Sequence, residues 1–212
     1  MIVYSYLDKD KYLLKKLNDM KILSKKFFER DPALVAKSLL GKLLIRKINS
    51  KILSGKIIET EAYYGKEDPA SRAYLGRPKY CVKLLYDEPG KILIYMVHGN
   101  WLFNVVAHEK GKAGAVLIRA IEPINGIEVM KKNRKVKSLI ELTNGPGKLC
   151  EALKIDISLN GKFVNQNKGP LMICKGGKEK FEICSSHRIG VTHDLKKKLR
   201  FFIKDNKFVS RY

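Results

Sequence analysis

The chain has 212 residues, enough for one full-sized domain with its own core. Hydrophobic residues make up 45% of it, which excludes a disordered chain. Against 43 Lys and Arg stand 21 Asp and Glu, a net charge of +22. A field of that sign favours a polyanionic partner, nucleic acid first and an anionic membrane surface second. Composition does not place those charges on one face, so a generally lysine-rich chain is the plain alternative.

Residues 10–22 carry Leu13, Leu14, Leu17 and Met20 at helical spacing among lysines, which predicts a short amphipathic helix. It belongs to an expected amino-terminal extension over residues 1–23. Asp8, Lys9, Asp10 and Lys11 stand where a signal peptide needs an apolar run, so a cytoplasmic, DNA-associated protein is expected. A second helix follows, with Asp31 as its cap, Pro32 at its first position and Gly41 to close it. Strands are then predicted over residues 42–48 and 56–63, joined by a turn within 49–55. Residues 91–97 and 101–107 form a predicted hairpin with His98, Gly99 and Asn100 at its tip. Residues 113–120 are a third apolar strand. Helices are predicted over 124–135 and 146–154, the latter opening on Pro146 after Asn144 and Gly145. Short strands over 171–174 and 200–204 finish the chain. Strands neighbour one another more often than they alternate with helices. The expected fold is therefore mixed α/β: a single domain over residues 24–212 with a largely antiparallel sheet and flanking helices. The stretch from Ile92 to His108 lacks charge but is too short to span a bilayer.

Metal chemistry finds little support. Cys81, Cys150, Cys174 and Cys184 lack zinc-knuckle spacing and read as reduced, buried thiols. His98, His108, His187 and His193 form no HExxH motif. No metal and no cofactor is expected.

The segment Glu59-Thr60-Glu61-Ala62-Tyr63 is the sharpest feature. On a strand, alternate residues share a face, so Glu59, Glu61 and Tyr63 point the same way. Carboxylates on a buried face need partners or a task, the plain alternative being a solvated face paired with lysines. Arg119 stands at the expected end of an apolar strand, as a partner for a phosphate or a carboxylate such as Glu59 or Glu122. The aromatic hairpin from Tyr95 to Trp101 is either core packing or a wedge for a nucleic-acid groove.

Beyond these features, ordered blocks resemble the alkyladenine (3-methyladenine) DNA glycosylase family. They include Phe28-Glu29-Arg30-Asp31, Ile58-Glu59-Thr60-Glu61-Ala62-Tyr63, Asp68-Pro69-Ala70-Ser71 and Asn104-Val105-Val106. Leu117-Ile118-Arg119-Ala120-Ile121-Glu122-Pro123, Asn144-Gly145-Pro146-Gly147-Lys148-Leu149 and Arg188-Ile189-Gly190-Val191 continue the series. The resemblance covers residues 27 to 210. It implies a protruding hairpin that enters the minor groove of double-stranded DNA and a damaged purine flipped into a pocket. It also implies metal-free hydrolysis of the N-glycosidic bond, leaving an abasic site, by a monomer.

By position, Glu61 matches the catalytic carboxylate and Arg119 a basic residue near the reacting sugar phosphate. Tyr63 matches an aromatic that stacks on the flipped base, and Tyr95 an aromatic of the pocket wall. Asn104 matches a pocket residue that disfavours normal guanine, once one residue is deleted after Asn100. The chain departs from the pattern at Arg72, where the family has a His against the flipped base. It departs again at His98, which replaces the intercalating Tyr at the hairpin tip, with Trp101 expected close to the DNA. The loop over 77–89 also deviates. Two other functions stay open at this point: a non-catalytic nucleic-acid-binding domain of this fold, and a metal-dependent nuclease using Glu59 and Glu61.

Overall fold

The structure is a computed structural model that describes residues 21–177 and 179–210. The helix expected over residues 10–22 lies outside the described residues, apart from Lys21 and Ile22. Those two run along a sheet edge: Ile22 bridges Cys174, and Lys175 N donates to Lys21 O at 2.8 Å.

Helix α1 (Lys25–Phe28) is a single turn. Helix α2 (Pro32–Leu39) starts as the sequence indicates, with Asp31 accepting from Ala33 N and Leu34 N and Pro32 at the first position. Gly41, just past its end, has φ of 78°. Strands β1 (Leu43–Ile48) and β2 (Lys51–Tyr63) follow. The turn between them is Asn49-Ser50 alone, shorter than expected, because Ile48 pairs directly with Lys51. Asn49 supplies the left-handed backbone that so tight a turn requires, with φ of 53°.

Two short helices, α3 (Arg72–Leu75) and α4 (Lys79–Leu85), occupy a stretch where no element was expected. Strands β3 (Ile92–Val97) and β4 (Asn100–Val106) form the expected hairpin. Strand β5 (Ala115–Asn125) runs past its expected end at residue 120, through Pro123. The register shifts between Ser54 and Gly55 opposite Pro123, the kind of irregularity where a strand tolerates proline. Arg119 therefore sits within the strand, not at its end, and helix α5 (Ile127–Arg134) starts after Gly126. Helix α6 (Pro146–Ala152) and strands β6 (Leu171–Cys174), β7 (Ile183–Ser186) and β8 (Arg200–Ile203) complete the described elements. Strand β7 carries no apolar alternation, and its burial is only partial, so no local signal announced it.

The strands form one curled sheet in the order β3-β4-β5-β2-β1-β6, and every pairing is antiparallel. Strand β2 is long enough to change partners. Its first part pairs with β1, and Glu59 to Glu61 pair with β8, which in turn pairs with β7. Register shifts around Ile57, Glu59 and Thr60 mark the bend.

One sheet face carries the main core, with Ile58, Phe103, Val116 and Ile118 against α2 and α6. Thr60 Oγ1 ties that face to α2 by donating to Ala36 O at 3.0 Å. Gly114 lets the chain pass close by: a Cβ there would lie 2.6 Å from Pro32 and 2.9 Å from Tyr63 O. The opposite face carries a smaller cluster, with Leu93, Tyr95, Val106 and Ala115 beneath α4. Alternation on β2 and β5 continues this second face through Leu117 and Arg119 and through Tyr63, Glu61 and Glu59. All four cysteines are free, and Cys81, Cys150 and Cys174 are buried; Cys184, on the exposed β7, is only partly so.

Candidate active site

A cleft of about 840 Å³ opens on that second face. Its walls include Tyr63 from β2, Arg119 from β5, Tyr95 from β3 and Arg72 from α3. His98 stands at its rim, and the backbones around Gly145 to Lys148 and Ile189 to His193 close two sides.

Glu61 lies just behind this wall, with no exposed surface. Its Oε1 accepts from Ile189 N at 2.8 Å. Its Oε2 accepts from the Tyr63 hydroxyl at 2.8 Å and faces Arg119 Nη1 at 3.2 Å. Burial pushes this carboxyl above its usual range, against the pull of Arg119, the Ile189 N–H and the Tyr63 hydroxyl. Burial and the neighbouring Glu61 raise the Tyr63 phenol well above its own range, so it stays a proton donor.

Glu59 faces the same way but is occupied differently. Its Oε1 accepts from Arg119 Nε at 2.9 Å, Arg200 Nε at 2.7 Å and Ser210 Oγ at 2.8 Å. Its Oε2 accepts from Ser210 N at 2.7 Å. Two guanidiniums and a serine thus saturate it, and it holds Arg119 in place. A divalent cation between Glu59 and Glu61 would have to displace Arg119, which bridges both. Among the described residues, no group of three His, Cys, Asp or Glu could hold a metal. Of the two ion pairs expected for Arg119, the one with Glu59 forms. Glu122 instead meets Lys56 at 3.1 Å and Asn206 at 2.9 Å.

Tyr63 is clamped from behind. The Arg188 guanidinium lies 4.5 Å from its ring centroid. Arg188 is itself held by Asp68, with Nη1 at 2.6 Å and Nη2 at 2.7 Å, by Asp194, and by the Ala62 carbonyl at 3.0 Å. The next residue, Ile189, supplies the N–H on Glu61. One buried arginine therefore sets both the Tyr63 ring and, through Ile189, the Glu61 carboxylate. The sequence blocks that contain Asp68 and Arg188 give neither residue a task, and no local pattern singles out Asp194 or Ser210. Arg188 and Asp68 are 120 positions apart, beyond the reach of any local pattern.

Across the cleft the Arg72 guanidinium lies 4.6 Å from the centroid of Tyr95. His98 and Gly99 form the hairpin turn with φ of 47° and 76°, the signature of a tight two-residue connection. His98 is exposed, and Asn100 Nδ2 donates to its carbonyl at 3.0 Å. Two expected site residues lie elsewhere than on the wall. Asn104 is on the same sheet face but only 1% exposed, and its amide donates to the carbonyls of Leu93 and Leu102. Trp101 alternates to the opposite face and packs half-buried against the main core.

Among the described residues no helix is long and apolar enough to cross a membrane. Comparison with known proteins gives a consistent answer. The family model described as "Methylpurine-DNA glycosylase (MPG)" matches residues 26–207. A protein of Desulfitobacterium hafniense is 41% identical over 203 residues, covering 90% of this chain and 99% of that protein. One of Clostridium tetani is 45% identical over 201 residues, covering 89% and 98%. One of Aeropyrum pernix is 39% identical over 193 residues, covering 90% and 94%. Each of the three bears the name "Putative 3-methyladenine DNA glycosylase". On this evidence the chain belongs to the methylpurine-DNA glycosylase family, whose chemistry is hydrolysis of an N-glycosyl bond.

Proposed function

We propose that the chain excises alkylated purines, and with them hypoxanthine and ethenoadenine, from double-stranded DNA. The observation that carries this reading is a buried carboxylate, Glu61, at the back of a cleft walled by Tyr63, Tyr95 and Arg119. At about 840 Å³ the cleft has room for a purine nucleoside. A base turned out of the helix loses its stacked neighbours, and Tyr63 offers a replacement surface, while Tyr95 carries the Arg72 guanidinium. His98, exposed at the hairpin tip, fills the gap the base leaves in this reading. As the bond to the base breaks, positive charge develops on the deoxyribose. An ionised Glu61 stabilises that charge and takes a proton from the attacking water. A carboxyl raised by burial is better matched to that proton transfer than an ordinary one. Arg119 keeps Glu61 oriented and sets a cation beside the sugar phosphate. The net charge of +22 draws the protein to the DNA backbone.

The test is excision from duplexes carrying an alkylated purine, hypoxanthine or ethenoadenine, read by alkaline cleavage of the abasic product. Glu61→Gln should retain DNA binding and lose about 10²–10⁴-fold in single-turnover excision. A variant rate within about tenfold of wild type would remove Glu61 from this role. Activity that vanishes with a chelator would instead favour the nuclease reading.

A further inference from the structure

Three arginines approach the cleft, and two of them are neutralised. Arg119 is paired with Glu59 and Glu61, and Arg188 with Asp68 and Asp194. Arg72 differs. Among the described residues no carboxylate pairs with it, and its guanidinium instead lies 4.6 Å over the Tyr95 ring. Its backbone is fixed at the rim because Ser71 caps α3, with Oγ accepting from Ala73 N at 3.2 Å. Arg72 and Tyr95 line the same cleft as Tyr63. A bound purine therefore shares this space with a cation that has no carboxylate partner among the described residues. Glu61 is not its partner: that carboxylate is held by Arg119, the Tyr63 hydroxyl and Ile189 N.

We propose that Arg72 makes this cleft select purine lesions by charge and by the polarity of their edge. The favoured class is neutral purines with an acceptor edge, such as the 6-oxopurine hypoxanthine. The disfavoured class is bases that are cationic while still joined to the sugar, such as 3-methyladenine and 7-methylguanine. The inference rests on the base-excision reading and narrows its substrate class. Two independent physical reasons support it. A guanidinium stays protonated at any working pH, so it repels a cationic base in a partly desolvated cleft. It also presents N–H donors and no acceptor. The O6 and N7 of hypoxanthine can accept from it, whereas the exocyclic amine of an adenine presents another donor. Stacking on Tyr95 holds the guanidinium plane in place while leaving its N–H edge free of any carboxylate.

Cationic bases leave the sugar more readily than neutral ones, so raw rates do not report the effect. The ratio of two rates, compared between wild type and variants, cancels that intrinsic difference. The experiment measures single-turnover excision of 7-methylguanine and of hypoxanthine from otherwise identical duplexes. It is run below neutral pH, where 7-methylguanine keeps its full charge, on wild type, Arg72→Met, Arg72→Gln and Arg72→Lys. Both neutral variants should raise the 7-methylguanine to hypoxanthine ratio by about tenfold, and Arg72→Lys should stay near wild type. Using two neutral variants guards against one of them failing to fold, and a general loss of structure would lower both rates together. A ratio unchanged in the neutral variants overturns the proposal. A ratio raised equally in Arg72→Lys shows that stacking and not charge is sensed, which also overturns it. Absence of excision of either base by the wild type would instead overturn the base-excision reading.

Discussion

Asp68→Asn isolates the clamp behind the active site. Asp68 is completely buried and accepts four hydrogen bonds. Tyr64 N and Arg188 Nη1 reach its Oδ2 at 2.9 and 2.6 Å, and Ala70 N and Arg188 Nη2 reach its Oδ1 at 3.1 and 2.7 Å. Asparagine keeps the shape, but whichever way its amide turns, an NH₂ group faces one backbone N–H and one guanidinium N–H. Two accepted bonds are lost and two donors are left opposed. A hydrogen bond to a charged partner contributes about 1.5–3 kcal/mol, and breaking a buried pair costs about 3–5 kcal/mol. Asp194 still holds Arg188 through Nε and Nη2 at 2.9 and 2.6 Å, so its charge is not abandoned. That places the cost at the lower end, about 3 kcal/mol. For a chain of this size it corresponds to a fall in Tm of roughly 6–12 °C. The protein should remain folded at 25 °C, since domains of this kind have about 5–15 kcal/mol of stability. Excision should fall as well, because the freed Arg188 loosens the Tyr63 ring and the Ile189 N–H on Glu61. Thermal and urea unfolding, paired with single-turnover excision on the folded fraction, measure both. A stability loss under about 1 kcal/mol, or unchanged excision, would refute the clamp.

Three further outcomes are expected. In the proposed mechanism excision requires ionised Glu61, whose carboxyl burial raises above its ordinary 4.5, so activity should rise with pH as that proton leaves. The acid limb of kcat/KM should therefore lie above 4.5, and a limb at or below that value contradicts the assignment. DNA binding should weaken steeply with salt, with a log–log slope of about −0.9 for each phosphate contacted; a flat response would count against backbone binding. His98 occupies a left-handed turn position with φ of 47°, so His98→Gly relieves backbone strain while removing the proposed wedge. That variant should be no less stable yet give a weaker 2-aminopurine flipping signal, and an unchanged signal would assign the wedge to another residue.

The amino-acid sequence by itself determined the local half of this protein. Period-two alternation placed Glu59, Glu61 and Tyr63 on one face of β2, because side-chain direction along an extended chain needs no knowledge of partners. Asp31 with Pro32, and Pro146 alone, marked helix starts through chemistry confined to a few residues. The His98-Gly99 tip was equally legible, although its strands closed more tightly than expected. Only the tertiary structure decided which carboxylate Arg200 and Ser210 saturate and which lies behind Tyr63 at the cleft wall. Glu59 and Glu61 are alike in sequence, and they differ because Arg200 and Ser210 come back 141 and 151 positions later to fill Glu59. The same holds for Arg188 behind Tyr63, and for Trp101 turning to the core while Tyr95 turns to the cleft. Such contacts depend on the path of the whole chain, and at separations this long no periodicity or spacing records which donor meets which acceptor.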